Sequence, residues 1–148
     1  MDRAEALDAL GVSDQDAGHS RAAEIVRRIY TLWESREWSA IPDFFEPDIE
    51  IDLSRNVFNP DVYQGHAGIE RYLKSVDEVW EEFRIVPEEF IDAGDHVVTR
   101  VTIRGKGKGS GVEVTMQLFN VWTFRDTKVL RIVGGYRDRS EALAAAGR

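Results

Sequence analysis

The chain has 148 residues, a formal net charge of -8 and no cysteine; it fits one domain, able to bury roughly 70% of the surface its unfolded form exposes, and disulfide and thiolate chemistry are excluded. No apolar run approaches the roughly 18 to 20 residues that span a bilayer, and the acids spread along the chain leave no basic surface for nucleic acid. A soluble, cytoplasmic protein that engages neither membrane nor nucleic acid is expected.

Residues 2 to 10 (DRAEALDAL) read as a short helix closed by Gly11, and 13 to 20 (SDQDAGHS) as a linker or cap. From about Ser20 to Glu37, Ala23, Val26, Ile29, Tyr30 and Trp33 recur at steps of three and four, with Arg21, Glu24, Arg27 and Arg28 opposite, the pattern of an amphipathic helix. A short helix over Ser39 to Phe45 stops before Glu46-Pro47. DIEIDLS (48 to 54) alternates as a strand, and Arg55 to Gln64 reads as a loop. Gly65 to Glu81 is a third helix carrying Ile69, Leu73, Val76 and Trp80 on one face. Strands follow at Phe83 to Ile91 and His96 to Arg104, with a hairpin turn at Asp92 to Asp95. A long pair then runs from Ser110 to Tyr136, turning at Arg125-Asp126-Thr127. DRSEALAAAGR closes the chain as a helix capped by Asp138 or Ser140 and ending at Gly147.

Helices, one strand, a helix and then a four-stranded antiparallel meander predict an α+β fold with helices on one face of a curved sheet. In the Ser110 strand one parity carries Val112, Val114, Met116, Leu118, Asn120, Trp122 and Phe124. Asn120 is the single polar residue on that row, so it is either satisfied core structure or part of a site. Gly105 to Gly111 (GKGKGSG) has the look of a phosphate loop but is followed by a strand, not by the helix N-terminus such a loop requires, so it reads as a hairpin tip. The three histidines lack metal-ligand spacing, and neither a metal nor a cofactor is expected.

The runs IYTLWESREWSAIPDFFEPDIEID, VYQGHAGIERYL and SGVEV…NVWTFRDTKVLRI resemble the SnoaL-like domains of the nuclear transport factor 2-like superfamily over about residues 20 to 146. That resemblance divides the chain into an N-terminal extension (1 to 19) and a SnoaL-like domain (20 to 148). It implies a cone, a bent antiparallel sheet wrapped around a long N-terminal helix, with an apolar pocket between helices and sheet. It also implies a homodimer through the outer sheet face, and a small apolar organic molecule as ligand. Relatives include ketosteroid isomerases, polyketide cyclases, scytalone dehydratase and limonene-epoxide hydrolase. The implied activity is cofactor-independent isomerase, cyclase, dehydratase or hydrolase chemistry; the alternatives are a noncatalytic ligand-binding protein or a protein-interaction module.

Carried onto this chain, the resemblance puts Asn120 where the isomerases hold a proton-donating acid, and an amide can donate there too. Asp52 is the candidate base. Strict alternation sends it outward with Glu50, and a one-residue bulge near the strand end would bring it in. Arg100 turns on register. Periodicity alone buries Val97, Thr99, Val101 and Ile103 and exposes Arg100. A hairpin tip centred on Gly109 sets Arg100 opposite Leu118 on the side of Asn120, and a two-residue turn at Lys108-Gly109 reverses this. Alignment with the relatives favours the first register, so Arg100 is expected in the pocket and the Val97 row on the dimer face. Ile29, Trp33, Phe45, His66, Trp80, Met116, Trp122 and Tyr136 are the candidate substrate-binding residues. Plain core packing is the alternative for the aromatics, and a surface or capping role for His66.

Overall fold

The computed structural model describes residues 14–56 and 60–148. The helix proposed for residues 2 to 10 lies outside them. The first described element, α1 (Asp14–Glu34), begins before the expected start, so most of the supposed linker at 13 to 20 is helical. Its apolar stripe packs as the spacing predicts: Val26, Ile29, Tyr30 and Trp33 are all buried. A 3-10 turn over Trp38–Phe44 leads into β1 (Phe45–Asp52), then β2 (Val62–Gln64) and α2 (Gly65–Val79). The meander follows as β3 (Trp80–Ala93), β4 (His96–Gly107), β5 (Glu113–Arg125) and β6 (Lys128–Tyr136), and α3 (Arg139–Ala145) closes the chain.

The strands form one curved, unclosed six-stranded sheet in the order β2-β1-β6-β5-β4-β3. Every pair is antiparallel except β1 and β6, which run parallel. The α+β class is as the sequence indicates. Three local readings are corrected. Phe45 opens β1 instead of closing a helix, and Pro47 sits inside that strand where its register with β6 shifts between Phe45 and Glu50. That is where a residue without an N–H is tolerated. The loop read over 55 to 64 contains β2, which pairs with the end of β1. Trp80 leaves the helix: it has extended dihedrals (φ -114, ψ 133) and is the first residue of β3.

The sheet has two faces with separate cores. On the concave face Ile49, Val97, Val101, Leu118, Trp122 and Val129 pack with Val26 and Ile29 of α1 and Ile69 of α2. Each such fully buried aliphatic side chain contributes roughly 1.5–3 kcal/mol. On the outer face Val98, Phe119, Val121, Val133 and Tyr136 are covered by Ala142 and Ala146 of the C-terminal segment. Asp138 caps α3, its carboxylate accepting from the Ser140 amide at 2.8 Å. The Glu89 carboxylate accepts two hydrogen bonds from Arg139, at 2.6 and 3.0 Å, tying the same helix to β3. Part of the face assigned to a dimer partner is thus covered by the chain itself, and the row assigned to that interface (Val97, Thr99, Val101, Ile103) faces inward.

Candidate functional site

The β4–β5 register decides what stands beside Asn120. Gly107 and Val112 close the hairpin, the Gly107 N–H donating to the Val112 carbonyl at 2.9 Å around a loop of residues 108 to 111. From there Ile103 faces Met116, Val101 faces Leu118, Arg100 faces Phe119 and Thr99 faces Asn120. Arg100 therefore lies on the outer face, correcting the expectation that it enters the pocket. Its guanidinium lies 3.4 Å from Glu89 and 3.9 Å from Glu88. Thr102, on the same outward row, donates to Glu88.

Asp52 also lies away from the interior. The bulge needed to turn it inward is absent at the end of β1, which stays in register with β6 from Glu50 to Asp52; the irregularity sits at the other end of the strand, beside Pro47. Its carboxylate accepts from the Ser54 hydroxyl at 2.6 Å and amide at 3.0 Å, with Arg131 at 3.7 Å. These donors, the Ser54 hydroxyl foremost, hold its pKa below the usual carboxylate value, the direction opposite to that of a proton-abstracting base.

Asn120 does face the interior, and with Trp122 it belongs to a chain of polar groups that also includes Tyr30 and Thr99, neither of them a candidate site residue from the sequence. The Asn120 amide nitrogen donates to the Tyr30 hydroxyl at 3.2 Å. Tyr30 Oη lies 2.9 Å from Thr99 Oγ1, and the Trp122 indole N–H donates to that same Oγ1 at 3.1 Å. Thr99 is completely buried, and either hydroxyl of the Thr99–Tyr30 pair can be the donor. With the Trp122 N–H donating to Thr99 Oγ1, the arrangement in which Thr99 donates to Tyr30 gives both buried hydroxyls a partner. In that arrangement Tyr30 Oη accepts twice, and its own proton is available to a ligand in the cavity that Tyr30 and Asn120 both line. Burial raises the Tyr30 pKa more than these hydrogen bonds lower it, so the phenol stays protonated and remains a donor at neutral pH.

The donors open on a cavity of about 100 Å³ between α1, α2 and the concave face. Its apolar wall includes Ile29, Trp33, Phe45, Leu53, Ile85 and Trp122. Edge-on contacts of Tyr30 with Trp122 (5.4 Å) and Phe90 (6.1 Å) fix the phenol, and Trp33 stacks on Tyr72 at 5.7 Å. Four of the eight proposed substrate-binding residues, Ile29, Trp33, Phe45 and Trp122, line this cavity. Trp80 and Met116 line a second one of about 50 Å³. His66 is exposed, with Nε2 3.4 Å from the Phe45 carbonyl, and is outside both linings.

Tyr136 is removed from the pocket by a bulge. Between the pairs Phe119–Tyr136 and Val121–Val133, β6 carries one residue more than β5, and Gly135 takes the left-handed conformation (φ 89) that such a bulge requires. The shift moves Tyr136 to the outer face, where Arg55 stacks over its ring at 4.2 Å. Gly134, just before it, faces Asn120. A Cβ there would stand 3.0 Å from Asn120 Oδ1 and 2.9 Å from Leu53 Cδ2, so the glycine makes the space both side chains use.

Among the described residues no group of three or more His, Asp or Glu is arranged to hold a metal ion, and no helix is long and apolar enough to cross a membrane. No curated protein matches the chain. Solved structures do. An NTF2-like protein of unknown function from Burkholderia pseudomallei is similar at 20% identity and a TM-score of 0.70, over 86% of this chain and 98% of that one. TerC, crystallised with polyporic acid, is similar at 26% identity and a TM-score of 0.69, over 86% of this chain and 99% of its own. SalBIII, described as an epoxide hydrolase/cyclase-like enzyme in pyran ring formation in salinomycin, is similar at 17% identity and a TM-score of 0.66, over 82% and 93%. The model of the SnoaL-like domain matches residues 26–132, most of the chain and every strand from β1 to β5, and the protein belongs to that family.

Proposed function

We propose that the protein binds a small, largely apolar organic molecule through a carbonyl or comparable oxygen, held by the Tyr30 hydroxyl and the Asn120 amide. The observation that carries this reading is the hydrogen-bonded Trp122–Thr99–Tyr30–Asn120 chain, whose last two members are the polar residues lining an otherwise apolar cavity. Donors fixed in advance in a water-poor pocket stabilise charge developing on a bound oxygen. They therefore suit a ligand hook, and also the electrophilic half of an isomerase-, cyclase-, dehydratase- or hydrolase-type reaction. No carboxylate lines the cavity among the described residues, which favours ligand binding over acid–base chemistry by Asp52. A homodimer through the polar remainder of the outer face, around Thr102, Arg104 and Gln117, is part of the same proposal. Sedimentation as a monomer at micromolar concentration would remove that part.

The test compares cyclopentanone with methylenecyclopentane by isothermal titration calorimetry, together with native mass spectrometry for any co-purifying ligand. The ketone binds more tightly to the wild type, and Tyr30→Phe and Asn120→Leu each reduce that preference. Equal affinity for the two probes sinks the reading. The catalytic alternative has its own readout, deuterium uptake at the ketone α-carbon in heavy water. Uptake above buffer that is lost in Asp52→Asn would restore Asp52 as a base.

A further inference from the structure

The cavity at Tyr30 and Asn120 has a neighbour. The second cavity, about 50 Å³, is lined by Trp80, Phe83, Ile103, Met116 and Leu118 from the meander and Val76 from α2. Two residues, Leu53 and Tyr72, line both cavities and stand between them. Leu53 follows the last residue of β1, and its methyl already rests in the space left by Gly134. Separately the chambers are small: an engineered apolar cavity of roughly 150 Å³ is the size that takes a benzene ring. The first chamber falls short of that size, and the two together approach it.

A residue lining the second chamber also carries an unanswered polar atom. Asn56 lines it, and Asn56 Oδ1 is buried with no hydrogen-bond partner among the described residues. Leaving a buried acceptor unpaired is costly, and such atoms are exceptions that call for an explanation. The amide cannot relax toward β6 either, because it is already in close contact with Gly135, where a Cβ would come within 2.6 Å of Oδ1.

We infer that the two chambers form one elongated ligand site, taking a single-ring molecule with an acceptor oxygen at one end, for Tyr30 and Asn120, and a hydrogen-bond donor at the other, for Asn56. Leu53 is the side chain that yields when the ring enters. This rests on the reading of the first chamber given above and adds to it the ligand's length, its second polar group and the residue that selects it.

The test uses three probes, cyclopentanone, acetophenone and 4-hydroxyacetophenone, and follows the tryptophan indole N–H signals by ¹H–¹⁵N NMR. Trp122 reports the first chamber and Trp80 the second. Cyclopentanone shifts Trp122 and leaves Trp80 in place, whereas 4-hydroxyacetophenone shifts both. The hydroxyl tightens binding about three- to tenfold over acetophenone, the worth of one hydrogen bond to an otherwise unpaired acceptor. Asn56→Ala abolishes that difference. If cyclopentanone binds but the hydroxyl brings no gain and Trp80 does not respond, the two-chamber site is overturned and the first-chamber reading stands. If cyclopentanone fails to bind while 4-hydroxyacetophenone shifts Trp80 alone, the first-chamber reading and the joined site fall together.

Discussion

Thr99→Val is the substitution that asks most of this structure. The two side chains are nearly the same shape and both suit a strand, so what changes is one hydroxyl at a completely buried position. Its loss strands the Trp122 indole N–H, which now donates to Thr99 Oγ1 at 3.1 Å from a residue that is 4% exposed. An unsatisfied buried donor costs about 1–3 kcal/mol. Tyr30 Oη is not stranded, because Asn120 still donates to it. Removing the hydroxyl's own desolvation offsets part of the penalty, leaving a net loss of about 1–2 kcal/mol. For a chain of this size that lowers Tm by roughly 2–8 °C. The assay is guanidinium unfolding, with Thr102→Val as the control on the outward row, where a change within about 0.5 kcal/mol is expected. A double-mutant cycle with Trp122→Phe isolates the Thr99–Trp122 coupling at about 0.5–1.5 kcal/mol. If Thr99→Val is as stable as wild type, or if Thr102→Val costs more, Thr99 is not the buried link and the register argued for β4 is wrong.

Gly134→Ala should impair binding more than folding. The added methyl meets Leu53 Cδ2, the movable end of a side chain, at 2.9 Å, but also Asn120 Oδ1 at 3.0 Å. Stability should fall by about 1 kcal/mol, at the low end for overpacking, while calorimetry should show cyclopentanone affinity dropping as Asn120 is displaced. Gly135→Ala should be the costlier change, since it forces a side chain into φ 89 as well as against Asn56; the left-handed conformation alone carries about 1–2 kcal/mol, read from the denaturation midpoint. Acid should weaken the fold through three carboxylates held below their usual pKa, Asp52 and Asp138 chiefly by hydrogen bonds from the Ser54 and Ser140 side chains and Glu89 by that from Arg139. A depressed carboxylate contributes stability that is fully present above its unfolded pKa, 3.8 for the aspartates and 4.5 for Glu89, and is lost as pH falls through the folded value. The guanidinium midpoint should therefore decline below about pH 4.5, and Asp52→Asn/Glu89→Gln/Asp138→Asn should flatten that decline.

Much of this site was legible in the sequence wherever apolar periodicity spoke. The even-numbered row of β5, the stripe through Val26, Ile29, Tyr30 and Trp33, and the outward direction of Glu50 and Asp52 all follow from it. Periodicity also placed Val97, Thr99, Val101 and Ile103 inside, and that row is inside. The hairpin tip leaves two registers open for Arg100, and the alignment with the relatives selects the one that the structure does not adopt. GKGKGSG accommodates several loop lengths, and each one-residue change of register moves a whole row to the other face. The position of Tyr136 was not readable for a related reason: Gly134-Gly135 announces some irregularity, but not which residue becomes the extra one.

Energetics ties Arg100 to Asp52 whatever the register of the hairpin. A guanidinium on the concave face would need an anion there, and with Asp52 and Glu50 turned outward by their own alternation the apolar rows offer none; a buried charge without a partner costs several kcal/mol. The outward position gives it Glu88 and Glu89 at a partly exposed surface, where the pairing is cheap. Once Arg100 is outside, strict alternation puts Thr99 inside, on the strand next to that of Asn120. Two adjacent apolar rows, each interrupted once and at facing positions, are then a polar pair and no longer two isolated exceptions. Tyr30, the one hydroxyl on the helix stripe above them, is the natural third member. A single polar residue on an apolar row marks Asn120 on β5 and, by the same rule, Thr99 on β4, and through Thr99 it leads to Tyr30, the hydroxyl to which Asn120 donates.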